Sequence, residues 1–411
     1  MIAPVASYHY DAVYQLKKAN GREHIGQNQM PGDNWNDTNF TKLVHKGDGN
    51  AMRAYIQSYF YDEVGNIKQL VHTANGGSYT RDYEYESLNN RLINTTIGAT
   101  TFTSTYDAHG NIDGMPHLSL MEWDFKDQLK ATQQTVVNNG NGEKTYYVYD
   151  ASGQRIRKIT EWQGITNKKE ERIYLGGFEI YRGYKMDGST IELERETLHI
   201  MDDKRRIALV ETKTKDNGSN DATALNVSLT RYQHDNHLGS ACLESDDNAA
   251  IVSYEEYHPY GTTAYQATDK NINPVAKRYQ YTGMERDEES GFEYHSARYY
   301  LPWLGRWLSA DPIGIKAGMN LYEYAGNSPN VATDKNGLEP NFEKFNQEAD
   351  KNNDKRISNN ELYNALACST VSPQQWASYM LTNSSAYKVE VGRDFLFALA
   401  TGKIQCGKLP V

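Results

Sequence analysis

The amino-acid sequence predicts a mainly β fold, a spiral of β-hairpins forming a partial shell, with a small α-helical domain at its C-terminal end. The first observation is composition: 31 of the 411 residues are Tyr, beside only 10 Phe and 6 Trp, and 32 are Gly. Tyrosine favours strands, and its ring can be buried while its hydroxyl finds a polar partner. The second is a recurring tyrosine–aspartate motif. The third is a change of composition after residue 338.

The tyrosine–aspartate motif has the chemistry of a hairpin turn. Full and degenerate copies lie at Tyr10–Leu16, Tyr61–Ile67, Tyr85–Leu92, Tyr106–Ile112, Trp123–Leu129 and Tyr149–Arg155. The full copies read Tyr-Asp-x-x-Gly-Asn or Gly-Gln, in which aspartate accepts hydrogen bonds from nearby amides and glycine supplies a positive φ. One hairpin cannot bury its apolar face alone, so the copies predict stacked units with a continuous apolar stripe. An ordinary antiparallel sandwich with coincidental turns is the alternative.

Charge and hydropathy exclude several classes of protein. The formal net charge of −10 argues against a broad nucleic-acid-binding surface. Three widely spaced cysteines predict neither a disulfide framework nor a zinc site. No run approaches the ~20 apolar residues of a membrane span, and the first residues lack the apolar core of a signal peptide. We therefore expect no nucleic-acid partner, no membrane span and no export on a signal of this chain's own.

The chain changes character after Leu338. Tyr and Gly become sparse there, and helical periodicity begins at 341–345. Pro340 suits a junction or a first helical turn. The sequence therefore predicts a domain boundary between Leu338 and Glu339 and a helical domain over 339–411.

The motifs resemble a known family. Those of residues 1–230 resemble the YD repeats of the RHS and teneurin-like proteins, and 231–338 resembles the RHS-associated core. The matching pieces of the core are Tyr232–Ser240, Tyr257–Gly261, Tyr279–Asp287, Ala297–Tyr300, Gly305–Gly314, Asn320–Tyr324 and Asp334–Leu338. Their order and spacing are most similar to those of the C component of insecticidal toxin complexes. Repeats and core together cover about four fifths of the chain.

The resemblance implies a role in toxin delivery. In this family the repeats spiral into a hollow shell that encloses a variable C-terminal cargo. It implies a secreted or cell-surface protein of a toxin system, whose partners are the remaining shell or toxin-complex components and a host-cell surface or carbohydrate. A full shell needs more repeats than this sequence contains, so we expect either a partial shell completed by other chains or a stand-alone remnant.

The resemblance also implies a self-cleavage site. The family cuts its own chain after its last core motif, using two aspartates and an arginine that correspond here to Asp311, Asp334 and Arg298. The cut bond would be Leu338–Glu339. Two carboxylates held close together do not both ionise easily, so one can activate water while the other donates a proton.

A purely structural interpretation of the same residues stays open on sequence alone. Asp311-Pro312 and the segment 334–337 are also good turn formers. Lys335 stands where the family usually has proline, and its presence predicts a looser turn at the cleavage site. The sequence alone shows no proximity between the two aspartates.

The helical tail contains a loop with the spacing of an EF-hand. Its oxygen donors at loop positions 1, 3, 5, 7, 9 and 12 are Asp350, Asn352, Asp354, the carbonyl of Arg356, Ser358 and Glu361. Calcium needs this density of oxygen ligands on one tight turn, so calcium is the predicted ligand. Lys355 stands at position 6, where glycine is expected, and the alternative is an Asn/Asp-rich solvated turn.

Two other functions compete with a self-cleaving shell. One is a non-enzymatic structural or adhesive cell-surface protein in which calcium stiffens the tail. The other is a calcium-regulated module in which the tail docks on the shell. Residues 339–411 contain no histidine and no evident nucleophile–base pair, which argues against a conventional hydrolase in the tail.

Overall fold

Antiparallel strands that each pair with the next strand along the chain dominate the fold. The computed structural model describes residues 2–26, 34–35, 37, 47–136, 140–203, 205–268, 276–316 and 318–338, and the backbone of two short strands beyond them. The prediction of a mainly β protein is confirmed for these residues. Among them, no helix is long and apolar enough to cross a membrane.

Seven strands form the first sheet, in sequence order. They are β1 (Ser7–Tyr10), β2 (Leu16–His24), β3 (Met52–Tyr61), β4 (Ile67–Ala74), β5 (Tyr79–Tyr85), β6 (Leu92–Ile97) and β7 (Thr100–Thr103). A two-stranded sheet follows, made of β8 (Thr105–Tyr106) and β9 (Ile112–Gly114). Hairpin follows hairpin throughout, as the spacing of the turn motifs predicts.

A twelve-stranded sheet continues the meander. Its strands are β10 (Leu118–Trp123), β11 (Leu129–Thr135), β12 (Asn141–Tyr149), β13 (Arg155–Glu161), β14 (Lys168–Leu175), β15 (Phe178–Tyr184), β16 (Ile191–Asp202), β17 (Arg205–Asp216), β18 (Ser228–Asp235), β19 (Ala241–Ser245), β20 (Ile251–Tyr257) and β21 (Thr263–Thr268). The division drawn from the sequence between residues 230 and 231 falls inside β18.

The turn motif works as its chemistry predicts. Asp62 Oδ1 accepts hydrogen bonds from the amides of Val64 at 3.0 Å and Asn66 at 2.8 Å, while Gly65 has a φ of 84°. The aromatic residue that opens five of the motif copies then joins its unit to the preceding one. The hydroxyl of Tyr61 donates to the carbonyl oxygen of Leu16 at 2.8 Å, and four later copies make the equivalent contact between aromatic and backbone. Tyr85, Trp123 and Tyr149 donate to the carbonyl oxygens of Ile67, Ile112 and Leu129, whereas the Tyr106 hydroxyl accepts from the Leu92 amide. We call this series the hydroxyl ladder, although its Trp123 member donates through Nε1.

The final part of the described chain, residues 276–316 and 318–338, forms a separate unit that we call the core segment. Its sheet consists of β22 (Glu285–Arg286), β23 (Glu293–His295), β24 (Arg298–Leu301) and β25 (Arg306–Trp307). Short 3₁₀ turns lie at Tyr281–Gly283, Gly314–Lys316 and Ala325–Asn327. Further on, the backbone of β26 (Arg356–Ile357) pairs in parallel with that of β27 (Lys388–Val389).

The core segment packs against the turn end of the repeats. The residues that close the turn motifs are buried in one cluster with the aromatic side chains of the core segment. They are Leu16, Ile67, Leu92, Ile112 and Leu129 on one side, and Phe292, Tyr300, Trp303, Trp307 and Tyr324 on the other. Polar contacts follow the same seam: Asn327 Nδ2 donates to the Gly65 carbonyl at 2.7 Å, and the Tyr322 hydroxyl donates to that of Gly110 at 2.8 Å. The core segment is therefore held by several repeats at once.

The beginning and the end of the meander also approach each other. Arg22 Nε on β2 donates to Glu256 Oε1 on β20 at 3.0 Å. His258 Nε2 lies 2.9 Å from Glu23 Oε2, and both side chains are buried. These contacts connect residues more than 230 positions apart, so the two ends of the meander lie next to each other.

Candidate functional site

One hairpin of the core segment carries the predicted arginine. Strands β23 and β24 are joined by a two-residue turn in which Ser296 has a φ of 60°, and His295 pairs across it with Arg298. Arg298 is 3% exposed. Its guanidinium lies 4.2 Å from the centroid of the Trp307 ring. A buried arginine must have its donors satisfied, and those partners define the site.

Arg298 joins the two predicted aspartates. Its Nη2 lies 2.7 Å from Asp311 Oδ2 and 3.3 Å from Asp334 Oδ2. Its Nε donates to the Gly337 carbonyl oxygen at 2.5 Å, and its Nη1 donates to that of Leu321 at 3.3 Å. The structure thus brings together three residues that the sequence separates by 13 and 23 positions. All three side chains are buried.

The segment before the predicted cut is a turn seated on this hairpin, which we call the cleavage loop (residues 334–338). Asp334 Oδ1 accepts a hydrogen bond from the Leu338 amide at 3.1 Å, the same i to i+4 contact that closes the repeat turns. The Ala297 amide, in the hairpin turn, donates to the Asn336 carbonyl oxygen at 3.1 Å. Gly337 has a φ of 71°, and a Cβ there would lie 2.8 Å from Arg298 N. Glycine is therefore required where the loop meets the hairpin.

Burial decides the electrostatics of the site. It raises the pKa of Asp334 to about 6, because the lowering effect of Arg298 only partly offsets desolvation. The charge of Asp311 adds to this increase. Burial also lowers the pKa of Arg298. A carboxyl with a pKa near 6 exchanges protons readily close to neutral pH, which is what an acid–base catalyst needs.

The hairpin also carries two ionisable side chains that sequence reasoning did not select, Glu293 and His295. Both are fully buried. His295 Nδ1 lies 2.6 Å from the carbonyl oxygen of Asp334, and burial lowers its pKa to about 3, so the ring is neutral. The available signal was their spacing, because residues i and i+2 on a strand share a face and the strand leads directly to Arg298.

Other predicted site residues lie outside the part of the chain that the structure describes. These are Glu339, on the far side of the predicted cut, and the side chains of Asp350, Asn352, Asp354, Arg356, Ser358 and Glu361; of these six, only the backbone of Arg356 is described, in β26. Among the described residues, no three His, Cys, Asp or Glu side chains cluster as a metal site would require. The calcium site stays a prediction.

Comparison with known proteins relates the chain to toxin subunits. No family model matches it. It is 32% identical over 360 residues to the toxin subunit YenC1 of Yersinia entomophaga, an alignment that covers 83% of this chain and 34% of that protein. It is 27% identical over 286 residues to the tRNA nuclease WapA of Bacillus subtilis, covering 68% of this chain and 11% of WapA. The chain thus spans about a third of the length of the toxin subunit it matches.

Comparison with solved structures also relates the chain to toxin complexes. A crystal structure of TcdB2-TccC3 superposes with a TM-score of 0.67 at 27% identity, covering 81% of this chain and 16% of that one. The Tc holotoxin pore of Photorhabdus luminescens, in a form with a substitution in TccC3, gives a TM-score of 0.69 at 28% identity, covering 83% of this chain and 15% of that one. Over about four fifths of its length, the chain is therefore similar in sequence and fold to RHS-type C components of toxin complexes, which confirms the family resemblance of its motifs.

Proposed function

We propose that this chain is part of an RHS-type toxin shell and that it cuts its own backbone between Leu338 and Glu339, which releases residues 339–411. Similarity to toxin subunits supports the first half of the proposal. One observation supports the second half: Arg298 holds Asp311 and Asp334 in a single buried site, and Asp334 is hydrogen-bonded to Leu338.

The proposed reaction is a hydrolysis in which Asp334 carries the proton. Its carboxylate accepts a proton from water as the water oxygen bonds to the carbonyl carbon of Leu338. The bond to the Glu339 nitrogen then breaks, and that nitrogen takes the proton back from Asp334 as it leaves. The products are a new carboxylate at Leu338 and a new amine at Glu339. Because the substrate is tethered, each chain reacts once.

Arg298 and Asp311 have a supporting role in this mechanism. Arg298 lies nearer to Asp311 than to Asp334, at 2.7 Å against 3.3 Å. Burial raises the pKa of Asp334, the charge of Asp311 raises it further, and the more distant Arg298 only partly offsets both effects, so the carboxyl keeps a raised pKa that suits proton transfer. The hydrogen bond from the Leu338 amide keeps the proton carrier within 3.1 Å of the residue whose carbonyl is attacked.

The toxin-shell proposal includes partners and location. A chain that covers a third of a toxin subunit needs the remaining shell or other toxin-complex components to enclose a cargo. We therefore propose assembly with such components, secretion as part of a toxin system, and contact with a host-cell surface or carbohydrate. We also propose that residues 350–361 bind calcium, supported by oxygen donors at all six ligand positions of the loop.

Intact mass spectrometry tests self-cleavage. Purified wild-type protein should give two masses that correspond to a break after Leu338, whereas Asp311→Asn should give one. Asp124→Asn is the matched control, because Asp124 Oδ1 accepts the Gln128 amide at 3.0 Å in a repeat turn outside the site. It should be cut like wild type. A single uncut mass for the wild type would refute self-cleavage and favour the structural or adhesive alternative.

A further inference from the structure

We propose that His295, supported by Glu293, is a positioning residue for self-cleavage: it fixes the backbone of Asp334 so that the Asp334 carboxyl faces the bond to be cut. This inference rests on the proposed function and adds a second set of residues to it. The two side chains touch neither Leu338 nor the carboxyl group of Asp334 in any contact of the described structure, so their effect would pass through the loop backbone.

The contact of His295 with the cleavage loop fixes the form of its ring. Its Nδ1 lies 2.6 Å from the Asp334 carbonyl oxygen, which can only accept a hydrogen bond. The proton of the neutral ring is therefore on Nδ1, and Nε2 is left as an acceptor. The Trp307 ring stands perpendicular to the imidazole with centroids 5.1 Å apart, and that of Tyr300 lies 5.9 Å away. These aromatic rings confine the imidazole, so its hydrogen bond also confines Asp334.

Glu293 offers the partner that Nε2 needs. It lies two residues earlier on the same face of β23, and its Oε2 is 3.6 Å from His295 Nε2. Within the described structure, neither carboxyl oxygen of Glu293 nor His295 Nε2 has a hydrogen-bond partner. Burial raises the pKa of Glu293 well above its usual range, so it is a neutral acid with an O–H to donate. A movement of less than about 1 Å would complete that hydrogen bond.

The cost of this arrangement argues for a role beyond packing. A buried glutamic acid and histidine lose their hydration, and apolar side chains of similar size would fill the space at lower cost. What an apolar side chain cannot do is donate to the Asp334 carbonyl. The hairpin thus controls Asp334 twice, through His295 on its backbone and Arg298 on its carboxylate.

The expected size of the effect follows from geometry. A displacement of about 1 Å of a catalytic group can slow a reaction roughly 100-fold. Without the His295 contact, Asp334 would still be linked to Arg298 and to the Leu338 amide, so we expect partial loss of rate. Self-cleavage should be slowed about 10- to 100-fold rather than abolished.

Two amide substitutions of the same histidine separate positioning from packing. In His295→Asn, the amide nitrogen takes the place of Nδ1 and can donate to the Asp334 carbonyl. In His295→Gln, the amide reaches the place of Nε2 instead, and that donation is lost. Both are measured in the full chain by pulse-labelled cell-free synthesis, with the cut fraction followed over time and folding checked by urea unfolding.

The expected result is that His295→Asn is cut within about threefold of the wild-type rate and His295→Gln about 10- to 100-fold more slowly. Glu293→Gln, which keeps a donor towards Nε2, should be cut faster than Glu293→Leu. Equal rates for the Asn and Gln variants of His295 would overturn the inference while self-cleavage itself stood. An uncut wild-type chain would overturn both proposals.

Discussion

Replacing Asp334 with asparagine should abolish self-cleavage and also flatten the dependence of stability on pH. Burial raises the pKa of this carboxyl from 3.8 to about 6 in the folded chain. The folded state therefore binds the proton more tightly than the unfolded state. The stability associated with the proton is fully present below pH 3.8 and is lost as pH rises through 6.

The size of the effect follows from the shift of about two pKa units. One unit corresponds to 1.36 kcal/mol, so the whole shift is equivalent to about 3 kcal/mol of unfolding free energy, of which the wild type should lose about 2 kcal/mol between pH 4 and pH 7. Asparagine is neutral at every pH and can still accept from the Leu338 amide. Asp334→Asn should therefore be more stable than wild type at pH 7, by up to about the same 3 kcal/mol, and inactive.

Urea titrations at several pH values measure this difference. Trp303 and Trp307 are 5% and 0% exposed, so their fluorescence reports unfolding of the core segment. Asp311→Asn provides an uncut reference that keeps Asp334, and Asp124→Asn controls for a turn aspartate outside the site. If Asp334→Asn destabilised the chain at pH 7 and followed the wild-type pH slope, the carboxyl would be an ordinary charged turn residue and the argument for its proton-carrying role would fail.

Two further predictions concern the shell and the tail. Tyr149→Phe removes a hydroxyl that donates to the Leu129 carbonyl at 2.8 Å and lies 2.8 Å from the Tyr299 hydroxyl, so urea unfolding should show a loss of about 1–3 kcal/mol. Tyr232→Phe, which removes a hydroxyl from an exposed side chain, should change stability by less than about 0.5 kcal/mol, and equal losses would contradict the hydroxyl ladder. Calorimetry should detect calcium binding by the wild type and none by Glu361→Gln, because position 12 supplies the bidentate ligand. If the wild type shows no heat of calcium binding, the calcium site is refuted and the loop is an Asn/Asp-rich solvated turn.

The repeats were predictable because their chemistry is local. An aspartate that caps nearby amides and a glycine with positive φ are read from five consecutive residues, and Asp62 with Gly65 shows the predicted turn. The hydroxyl ladder was less accessible to sequence reasoning. Tyr61 contacts Leu16, 45 positions earlier, and that pairing depends on which turn stacks on which. Tyrosine content predicted that the hydroxyls need partners, but not what the partners are.

In the candidate site, too, the sequence predicted which residues take part but not how they are arranged. Family resemblance named Arg298, Asp311 and Asp334, whereas their proximity arises from the packing of two separate turns, which begin at the two aspartates, against the hairpin that carries the arginine. His295 escaped sequence reasoning because a single histidine on a strand is more often a satisfied structural residue than a functional one. Its 2.6 Å contact with the Asp334 carbonyl, which its place on the strand only hinted at, distinguishes it in the structure.

The structure also changes the interpretation of Lys335, the lysine that stands where the family usually has proline before the cut. The sequence predicts that Lys335 loosens the turn, because proline would restrict the backbone there. In the structure, the turn is closed by hydrogen bonds at its other residues, from the Leu338 amide to Asp334 and from Ala297 to the Asn336 carbonyl. Lys335 itself lines a cavity of about 650 Å³ between the twelve-stranded sheet and the core segment. The loop is therefore ordered by what it rests on, and a flexible residue at position 335 is compatible with a well-presented Leu338.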